Sequence, residues 1–315
     1  MFSVTVRTLD WTFAKEPLVR HLRPVNSSPS TVMDALDLAS SFRGYGWERS
    51  RGLYIPRETR PANRIAFAFY AFLSAVAHIL LCGALHRAIL SFAPVGVGPI
   101  PGGSTIFDNT LPFLVRYLRS SIIATLDALS LYAALQMGYD LCTVPGILLG
   151  QDPAQWPPLF DAPWRATSLG DFWGRRWHQF FRRIFVFLGG YPFSFVLGRT
   201  GIVIGTFLAS ALWHQIALMP LNGRAEIWWM LLGFGMMGPG ILAERAFHRL
   251  TGKRVGGVAG WVWTMSWLLL WGNVIVEGFA RGGMFSCTSG LDTGSPLRAP
   301  VERLVIDFDA WLHTL

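Results

Sequence analysis

Long apolar runs follow the polar first 62 residues of the chain. Five of them predict membrane-spanning helices, because a helix rising about 1.5 Å per residue crosses the hydrocarbon core of a bilayer in about 20 residues. We therefore predict an all-α integral membrane protein, a helical bundle with about five to seven spans and an interfacial amphipathic helix. The runs are Arg64 to about Phe92, about Phe113 to Leu149, Val196 to Pro220, Ile227 to Ala243 and Val255 to Val276.

The polar positions between these runs predict the connections. The second run is too long for one span, so we expect a tilted helix plus a short surface segment ending near Pro145. Pro94–Gly103 predicts a loop or a re-entrant turn, and the charged residues from Glu244 to Arg254 predict a basic loop. We expect a short helix over Thr31–Ser41, with Thr31 as its N-cap.

These patterns divide the chain into three parts: a cytosolic N-terminal segment over 1–62, a membrane-embedded core over 63–281, and an amphiphilic tail over 282–315. The composition agrees, since 52% of the residues are hydrophobic and 15% are charged, against about 25% charged in soluble domains. Cys82, Cys142 and Cys287 lie far apart and form no Cys-x-x-Cys motif, so neither a disulfide framework nor a zinc site is predicted.

The net charge of +8 is concentrated in one short segment. Arg165–Arg183 holds five arginines and one aspartate, which is half of the excess. The positive-inside rule orients such a segment towards the cytosol, so we expect this segment on the cytosolic face of the membrane. This account of the basic charge needs no nucleic acid partner.

His214 is the one ionisable residue of the stretch from Thr200 to Gly223, which has no Asp, Glu, Lys or Arg. An imidazole inside a bilayer is costly unless it meets a partner or a substrate, so His214 is a candidate general base. Ser210, one helical turn earlier, and Gln215 indicate a polar cavity around the ring. The alternative is a packing histidine bonded to a neighbouring carbonyl.

The segment Ser168–Arg183 combines arginines with aromatic residues. On a helix, Arg175 would stack on Arg182 and Arg176 on Arg183, beside an aromatic face, and Ser168 with Asp171 would form an N-terminal cap. One interpretation is an interfacial anchor. The other is a site for the diphosphate and adenine of coenzyme A, which suit guanidinium groups beside aromatic rings. The aromatic face consists of Trp173, Trp177, Phe180 and Phe181.

Other ionisable residues in the apolar runs have weaker patterns. His78 and His86 lie eight residues apart without a carboxylate-rich partner set, so we expect structural roles and predict no metal site. Asp127 and Asp140 fit a proton relay, but pairing with arginine or a place at the interface is the simpler interpretation.

Three separated motifs carry a resemblance to a known family. They are Arg43-Gly-Tyr-Gly-Trp47; Trp156-Pro-Pro-Leu-Phe160 followed by Ser168-Leu-Gly-Asp-Phe-Trp-Gly-Arg-Arg-Trp-His-Gln179; and Ser210-Ala-Leu-Trp-His214. In order and spacing they resemble the wax-synthase-like branch of the membrane-bound O-acyltransferases, especially its fungal members in secondary metabolism.

The resemblance implies an acyl-CoA-dependent O-acyltransferase with no bound cofactor. It implies that His214 is catalytic and that the middle motif binds the donor, through Asp171, Trp173, Arg175, Arg176, Trp177 and His178. It favours transfer of acetyl from acetyl-CoA to a hydrophobic terpenoid or meroterpenoid alcohol. The alternatives are a wax synthase that uses long-chain acyl-CoA and, in another class, a non-catalytic membrane protein that binds a terpenoid or sterol.

Overall fold

The computed structural model describes residues 8, 11–12, 17–22, 30–40, 43–50, 52–92, 104–221, 226–286 and 298–315. Within these ranges the regular structure is helical, and Arg20 and Trp47 form an isolated antiparallel bridge. The prediction of an all-α protein is therefore confirmed. The α-helices are α1 Thr31–Ser40, α2 Arg64–Ser91, α3 Phe113–Leu148, α4 Leu169–Asp171, α5 Arg182–Phe185, α6 Tyr191–Leu218, α7 Ile227–Gly235, α8 Met237–Thr251, α9 Gly257–Arg281 and α10 Arg298–Leu312.

Five helical segments in the described ranges are long and apolar enough to cross a membrane: Arg64–Ser91, Phe113–Leu148, Arg182–Leu221, Ile227–Thr251 and Gly257–Arg281. They coincide with the five predicted runs, so the chain is an integral membrane protein. Such segments suit a bilayer because each backbone N–H and C=O within a helix is bonded inside the segment itself.

The second span is one uninterrupted helix. Within the described range 104–221, the structure shows no separate surface segment that ends near Pro145. Helix α3 runs for 36 residues and contains Pro145 near its end. A proline inside a helix removes one backbone hydrogen bond. Here it lies in the last turn, and its own carbonyl still accepts a hydrogen bond from Leu149 N at 2.9 Å. The helix therefore continues to Leu148.

The predicted basic loop is also wrong, because helix α8 continues through it. Glu244, Arg245, His248 and Arg249 all lie on this helix, which ends at Thr251. Gly252 follows with a φ of 71° and donates its N–H to the carbonyl of His248 at 2.8 Å. Charged side chains on an exposed face do not stop a helix, and cations in its last turn favour it through the helix dipole.

The N-terminal helix α1 has the predicted extent but a different cap. The hydroxyl of Ser30 accepts the N–H of Met33 at 3.4 Å, and the carbonyl of Ser30 accepts that of Asp34 at 2.9 Å. Ser30, rather than Thr31, therefore precedes the first turn. Two predictions lie outside the described residues: the Pro94–Gly103 connector and the role of Cys287. The division at residues 62 and 281 stays a prediction.

The chain divides into two compact units. The first comprises Met1–Phe69, Thr143–Ala209 and Ile241–Trp261. Its apolar core includes Phe67, Ala68 and Ile147, with Trp156 packed against them. The first unit also contains the middle motif.

Two glycines let the backbone of the first unit pack closely. A Cβ on Gly205 would lie 2.2 Å from the carbonyl oxygen of Gly189, and a Cβ on Gly189 would lie 1.9 Å from that of Gly205. Only the missing side chains permit this contact, which is typical of helix packing in membranes.

The second unit comprises Tyr70–Cys142, Ser210–Gly240 and Val262–Leu315. Its polar core is bonded internally. The buried Glu277 carboxylate accepts hydrogen bonds from Thr105 at 2.9 Å and from Ile106 N at 2.9 Å, and Arg119 pairs with Asp309 at 2.6 Å. The last of these anchors the C-terminal helix α10. The unit's apolar core includes Ile89, Phe92, Ile106, Ile123, Ala124, Val276, Ala280 and Phe285.

Two ionisable residues of the first two spans, His78 and Asp140, have local partners. His78 Nδ1 lies 2.8 Å from the carbonyl of Ser74. Asp140 accepts hydrogen bonds from Ser74 Oγ at 2.6 Å and Gln136 Nε2 at 3.0 Å. Asp127 is buried and forms no ion pair with the described residues. These contacts agree with structural roles for His78 and Asp140.

Candidate active site

The first motif, Arg43-Gly-Tyr-Gly-Trp47, forms a turn that holds the start of the second. Gly44 and Gly46 have φ angles of 61° and 85°, and a Cβ on Gly46 would lie 3.0 Å from the carbonyl of Leu22. This turn presents the Arg43 guanidinium, which donates to the carbonyls of Pro157 and Pro158 at 2.6 and 2.8 Å. The planar arginine fork thus bonds two adjacent backbone carbonyls at once.

A buried carboxylate connects the same two motifs. Asp37 on α1 accepts a hydrogen bond from the indole Nε1 of Trp47 at 2.8 Å and from Gln155 Nε2 at 3.2 Å. Arg20 supplies the compensating charge at 3.6 Å. A buried carboxylate needs such partners, so Asp37 fixes the turn and the segment before Trp156 together.

The middle motif begins with a short helical turn capped from two sides. Ser168 Oγ accepts the N–H of Asp171 at 2.9 Å, which confirms the predicted N-terminal cap. Glu244 from α8 accepts the N–H groups of Leu169 and Gly170 at 2.5 and 3.0 Å. A carboxylate at a helix start binds exposed N–H groups. Glu244 is not among the predicted site residues. The sequence feature that could have identified it is an acidic residue at the end of an apolar run.

The motif is not one continuous helix, so the predicted stacking of Arg175 on Arg182 and of Arg176 on Arg183 is wrong. The turn α4 passes into a π-turn over Phe172–Arg176, and Trp177 is extended at φ −78°, ψ 152°. The Arg176 carbonyl accepts the N–H of Asp161 at 3.0 Å, a bond to a distant segment in place of the next helical turn. Helix α5 begins only at Arg182.

The two adjacent arginines have different environments. Arg176 pairs with Asp171 at 2.5 Å and donates to the carbonyl of Asp161 at 3.0 Å, so its guanidinium holds the motif together. Arg175 is exposed, and its guanidinium lies 5.7 Å from the ring of Tyr54. The Tyr54 hydroxyl donates to Asp161 Oδ2 at 2.7 Å, and this hydrogen bond raises the pKa of Tyr54 above its usual 10.0. Arg175 is thus the arginine that is available to an anionic ligand.

The aromatic residues of the motif pack mainly on one another. Trp177 stacks on Phe172 at 5.5 Å and meets Phe160 edge-on at 5.1 Å, and His178 meets Phe160 at 5.9 Å. Trp173 packs edge-on against Phe207 of α6 at 5.6 Å.

The indole Nε1 of Trp173 is buried and has no hydrogen-bond partner among the described residues. A buried donor without a partner is uncommon and marks a place where a ligand can accept a hydrogen bond.

His214 lies on α6 with its ring fixed from two directions. Its Nδ1 is 2.7 Å from the carbonyl of Ser210, and the ring stacks on Phe234 at a centroid distance of 4.1 Å and an angle of 18°. A carbonyl only accepts, so Nδ1 carries the proton in the neutral ring. The lone pair is then on Nε2, which makes no hydrogen bond within the described part of the chain. The contact is also the one that the alternative of a packing histidine predicts, and the tautomer that it fixes is one that a general base can use.

The structure therefore brings Asp171, Trp173, Arg175, Arg176, Trp177 and His178 together in the first unit, and places His214 in the second. No group of three His, Cys, Asp or Glu side chains in the described ranges is arranged to hold a metal ion.

One known family has a profile that matches part of this chain. Residues 156–235 match the profile described as "Membrane bound O-acyl transferase family". Over these 80 residues the chain is similar to this family. The match includes the whole middle motif and His214, and together with the acyltransferase relatives it supports an acyl-CoA-dependent O-acyltransferase.

Three curated relatives illustrate the breadth of the family. Acetyltransferase sirH of Emericella nidulans is 23% identical over 99% of this chain and 80% of its own length. O-Mevalon transferase yanI of Aspergillus niger is 31% identical over 51% of this chain and 37% of its own. Probable long-chain-alcohol O-fatty-acyltransferase 6 of Arabidopsis thaliana is 30% identical over 43% and 40%. The chain thus matches less than half of the last two relatives, and no solved structure matches it.

Proposed function

We propose that this O-acyltransferase transfers acetyl from acetyl-CoA to a hydroxyl group of a hydrophobic terpenoid or meroterpenoid alcohol, with His214 as the general base. The observation that carries the proposal is the Nδ1 contact of His214 with the Ser210 carbonyl at 2.7 Å, which leaves Nε2 able to accept a proton. The apolar faces of the ring, against Phe234 and Phe279, suit a water-poor site.

The reaction then needs no covalent enzyme intermediate. Nε2 of His214 takes the proton of the acceptor hydroxyl as its oxygen attacks the thioester carbonyl. The carbon–sulfur bond breaks, and the proton passes from the imidazolium to the departing thiolate, so the products are an acetyl ester and free coenzyme A.

The middle motif is proposed to bind the donor through a small part of its residues. Arg175 would contact the phosphates with its exposed guanidinium, and the buried Trp173 Nε1 would donate to the donor. Asp171 and Arg176 would position this surface through their ion pair, while Trp177 and His178 would support it by packing on Phe160.

The acetyl donor rests on the printed names of the relatives. Acetyltransferase sirH supports acetyl, whereas the Arabidopsis O-fatty-acyltransferase favours a long acyl chain and keeps a wax-synthase activity as the second candidate. Microsomes that contain the protein should be incubated with labelled acetyl-, octanoyl- and palmitoyl-CoA and with an extract of the host's metabolites. We expect labelled product from acetyl-CoA; product from palmitoyl-CoA alone would establish the second candidate.

His214→Gln tests the mechanism, because glutamine keeps the polarity but cannot act as the base. We expect kcat to fall by about 10²- to 10⁴-fold. His78→Gln is the matched control, since Nδ1 of His78 also contacts the carbonyl four residues earlier, at 2.8 Å, and should leave turnover nearly unchanged. Normal turnover by purified His214→Gln would refute the assignment. Tight terpenoid binding without any acyl-CoA binding would favour a non-catalytic carrier.

We further propose that Arg165–Arg183 lies on the cytosolic face of the endoplasmic reticulum, where acyl-CoA is available. Its five arginines and one aspartate support this through the positive-inside rule. Arg165 is exposed, so Arg165→Cys, in a protein whose three native cysteines are replaced by alanine, can report its side. Labelling by an impermeant maleimide in sealed microsomes is expected; labelling only after the membrane is opened would reverse the topology.

A further inference from the structure

Three arginines from two helices line one cavity of about 650 Å³ in the first unit. Arg199 follows Gly198, whose φ of 57° and ψ of −137° break the regular course of α6. Arg245 and Arg249 lie one turn apart on α8 and face the same cavity. The rest of the wall consists of Thr200, Ile202, Val203, Leu242 and Ala246.

The positive charge of this cavity is not neutralised within the described part of the chain. Arg199, Arg245 and Arg249 are exposed and form no ion pair there. The neighbouring acid, Glu244, accepts the backbone N–H groups of Leu169 and Gly170. Three guanidinium groups around one cavity repel one another, so an anion bound among them relieves a repulsion as well as making contacts. Phosphate suits the guanidinium fork.

The surroundings of the cavity favour a lipid as the source of that phosphate. Arg199 directly precedes the uncharged apolar stretch that begins at Thr200, and Arg245 follows the apolar run that ends at Ala243. Apolar side chains beside them are strongly exposed: Phe195 at 90%, Val196 at 83% and Leu250 at 85%. An acyl chain would cover such residues, whereas a water-soluble anion would leave them uncovered.

We infer that the cavity lined by Arg199, Arg245 and Arg249 binds the headgroup phosphate of an anionic phospholipid. Thr200 adds a hydroxyl donor, and the apolar wall receives the start of the acyl chains. Basic pockets between membrane helices bind anionic headgroups in this way. This site is separate from the donor contacts proposed for Arg175 and does not depend on them.

The test measures lipid retention by the full-length protein. Purified protein is exchanged into vesicles of phosphatidylcholine with phosphatidic acid, and the lipid that remains bound after delipidation is counted by native mass spectrometry. Arg245→Gln/Arg249→Gln is compared with Lys253→Gln/Arg254→Gln, which removes equal charge from exposed residues just after the same helix. Loss of one guanidinium should weaken lipid binding roughly fivefold. We therefore expect Arg245→Gln/Arg249→Gln to bind phosphatidic acid about 25-fold more weakly than the parent. The control double variant should bind it like the parent.

Equal weakening in both double variants would overturn the proposal, since it would show a diffuse charge effect, and so would unchanged retention in the first. Displacement of phosphatidic acid by acetyl-CoA, with a raised donor KM in Arg245→Gln/Arg249→Gln, would assign the cavity to the donor instead. If that double variant does not fold, Arg199→Gln on α6 serves the same comparison. Lipid retention does not require acyl transfer, so this readout remains informative even if the proposed reaction is wrong.

Discussion

Arg175 and Arg176 are neighbours in the sequence, yet their replacement should have different consequences. Arg176 pairs with Asp171 at 2.5 Å and donates to the carbonyl of Asp161 at 3.0 Å. Arg175 is exposed and has a ring contact with Tyr54 at 5.7 Å. We therefore predict that Arg176→Gln destabilises the fold, whereas Arg175→Gln weakens donor binding and leaves the fold intact.

The expected difference follows from the contacts that are lost. Hydrogen bonds that involve a charged group contribute about 1.5–3 kcal/mol each. The paired side chains of Arg176 and Asp171 are 23% and 19% exposed, so solvent weakens the pair. For Arg176→Gln we expect a loss of about 2–3 kcal/mol in the free energy of unfolding. For Arg175→Gln we expect less than about 1 kcal/mol, the size of an exposed cation–π contact.

Thermal unfolding of the purified variants in one detergent measures the first effect. At about 2 °C per kcal/mol for a chain of this size, Arg176→Gln should lower the Tm by about 4–6 °C and Arg175→Gln by less than about 2 °C. Titration with acetyl-CoA measures the second, and Arg175→Gln should raise the donor KM about tenfold, the loss of one good phosphate contact. In a double-mutant cycle, Asp171→Asn should remove most of the further effect of Arg176→Gln. Equal Tm shifts for the two arginine variants would refute the reasoning.

Three further predictions concern packing, motif contacts and pH. Gly205→Ala should abolish folded expression, because the new Cβ would lie 2.2 Å from the carbonyl oxygen of Gly189. Gly138→Ala should be tolerated, because a Cβ there would have no neighbouring atom within 4 Å. Size-exclusion chromatography of the two variants compares them. Arg43→Lys should lower the free energy of unfolding by about 1–2 kcal/mol, since lysine lacks the planar fork that bonds the Pro157 and Pro158 carbonyls. Chemical denaturation measures this, and a midpoint close to the parent's would contradict the prediction. A hydrogen bond to the carbonyl one turn earlier, and then Asp108, raise the pKa of His313. Its stabilisation is therefore present below about pH 6.5 and lost as the pH rises through the raised pKa, a dependence that His313→Gln should remove from Tm measurements.

The membrane helices could be predicted because their signal is one-dimensional. A run of about 20 apolar residues satisfies its own backbone and needs no distant partner. The ends of the helices were harder to predict. Charged residues from Glu244 to Arg249 were interpreted as a loop, although a helix that leaves the bilayer can continue in water until a residue such as Gly252 ends it. Hydropathy locates the apolar part of a helix, while capping determines where it ends.

The conformation of the middle motif could not be predicted, because long-range contacts determine it. Helical spacing paired Arg175 with Arg182, but the Arg176 carbonyl bonds to Asp161, and Trp177 leaves the helix at that point. Glu244 lies about 75 residues from the two N–H groups that it binds. Local periodicity carries no information about such partners.

The contacts also separate the positioning residues of the motifs from those left to act on a ligand. Arg43 and Glu244 use their charges on backbone carbonyls and amides, and Arg176 uses its own on a carboxylate and a carbonyl. A group committed in this way can bind a substrate only after it gives up a contact that stabilises the fold. The sequence marks all the charged motif residues alike, whereas the geometry leaves only a few polar groups uncommitted. Among the described motif residues these groups include Nε2 of His214, the guanidinium of Arg175 and the indole N–H of Trp173. A base, a phosphate ligand and a hydrogen-bond donor suit the proposed acyl transfer from a coenzyme A thioester.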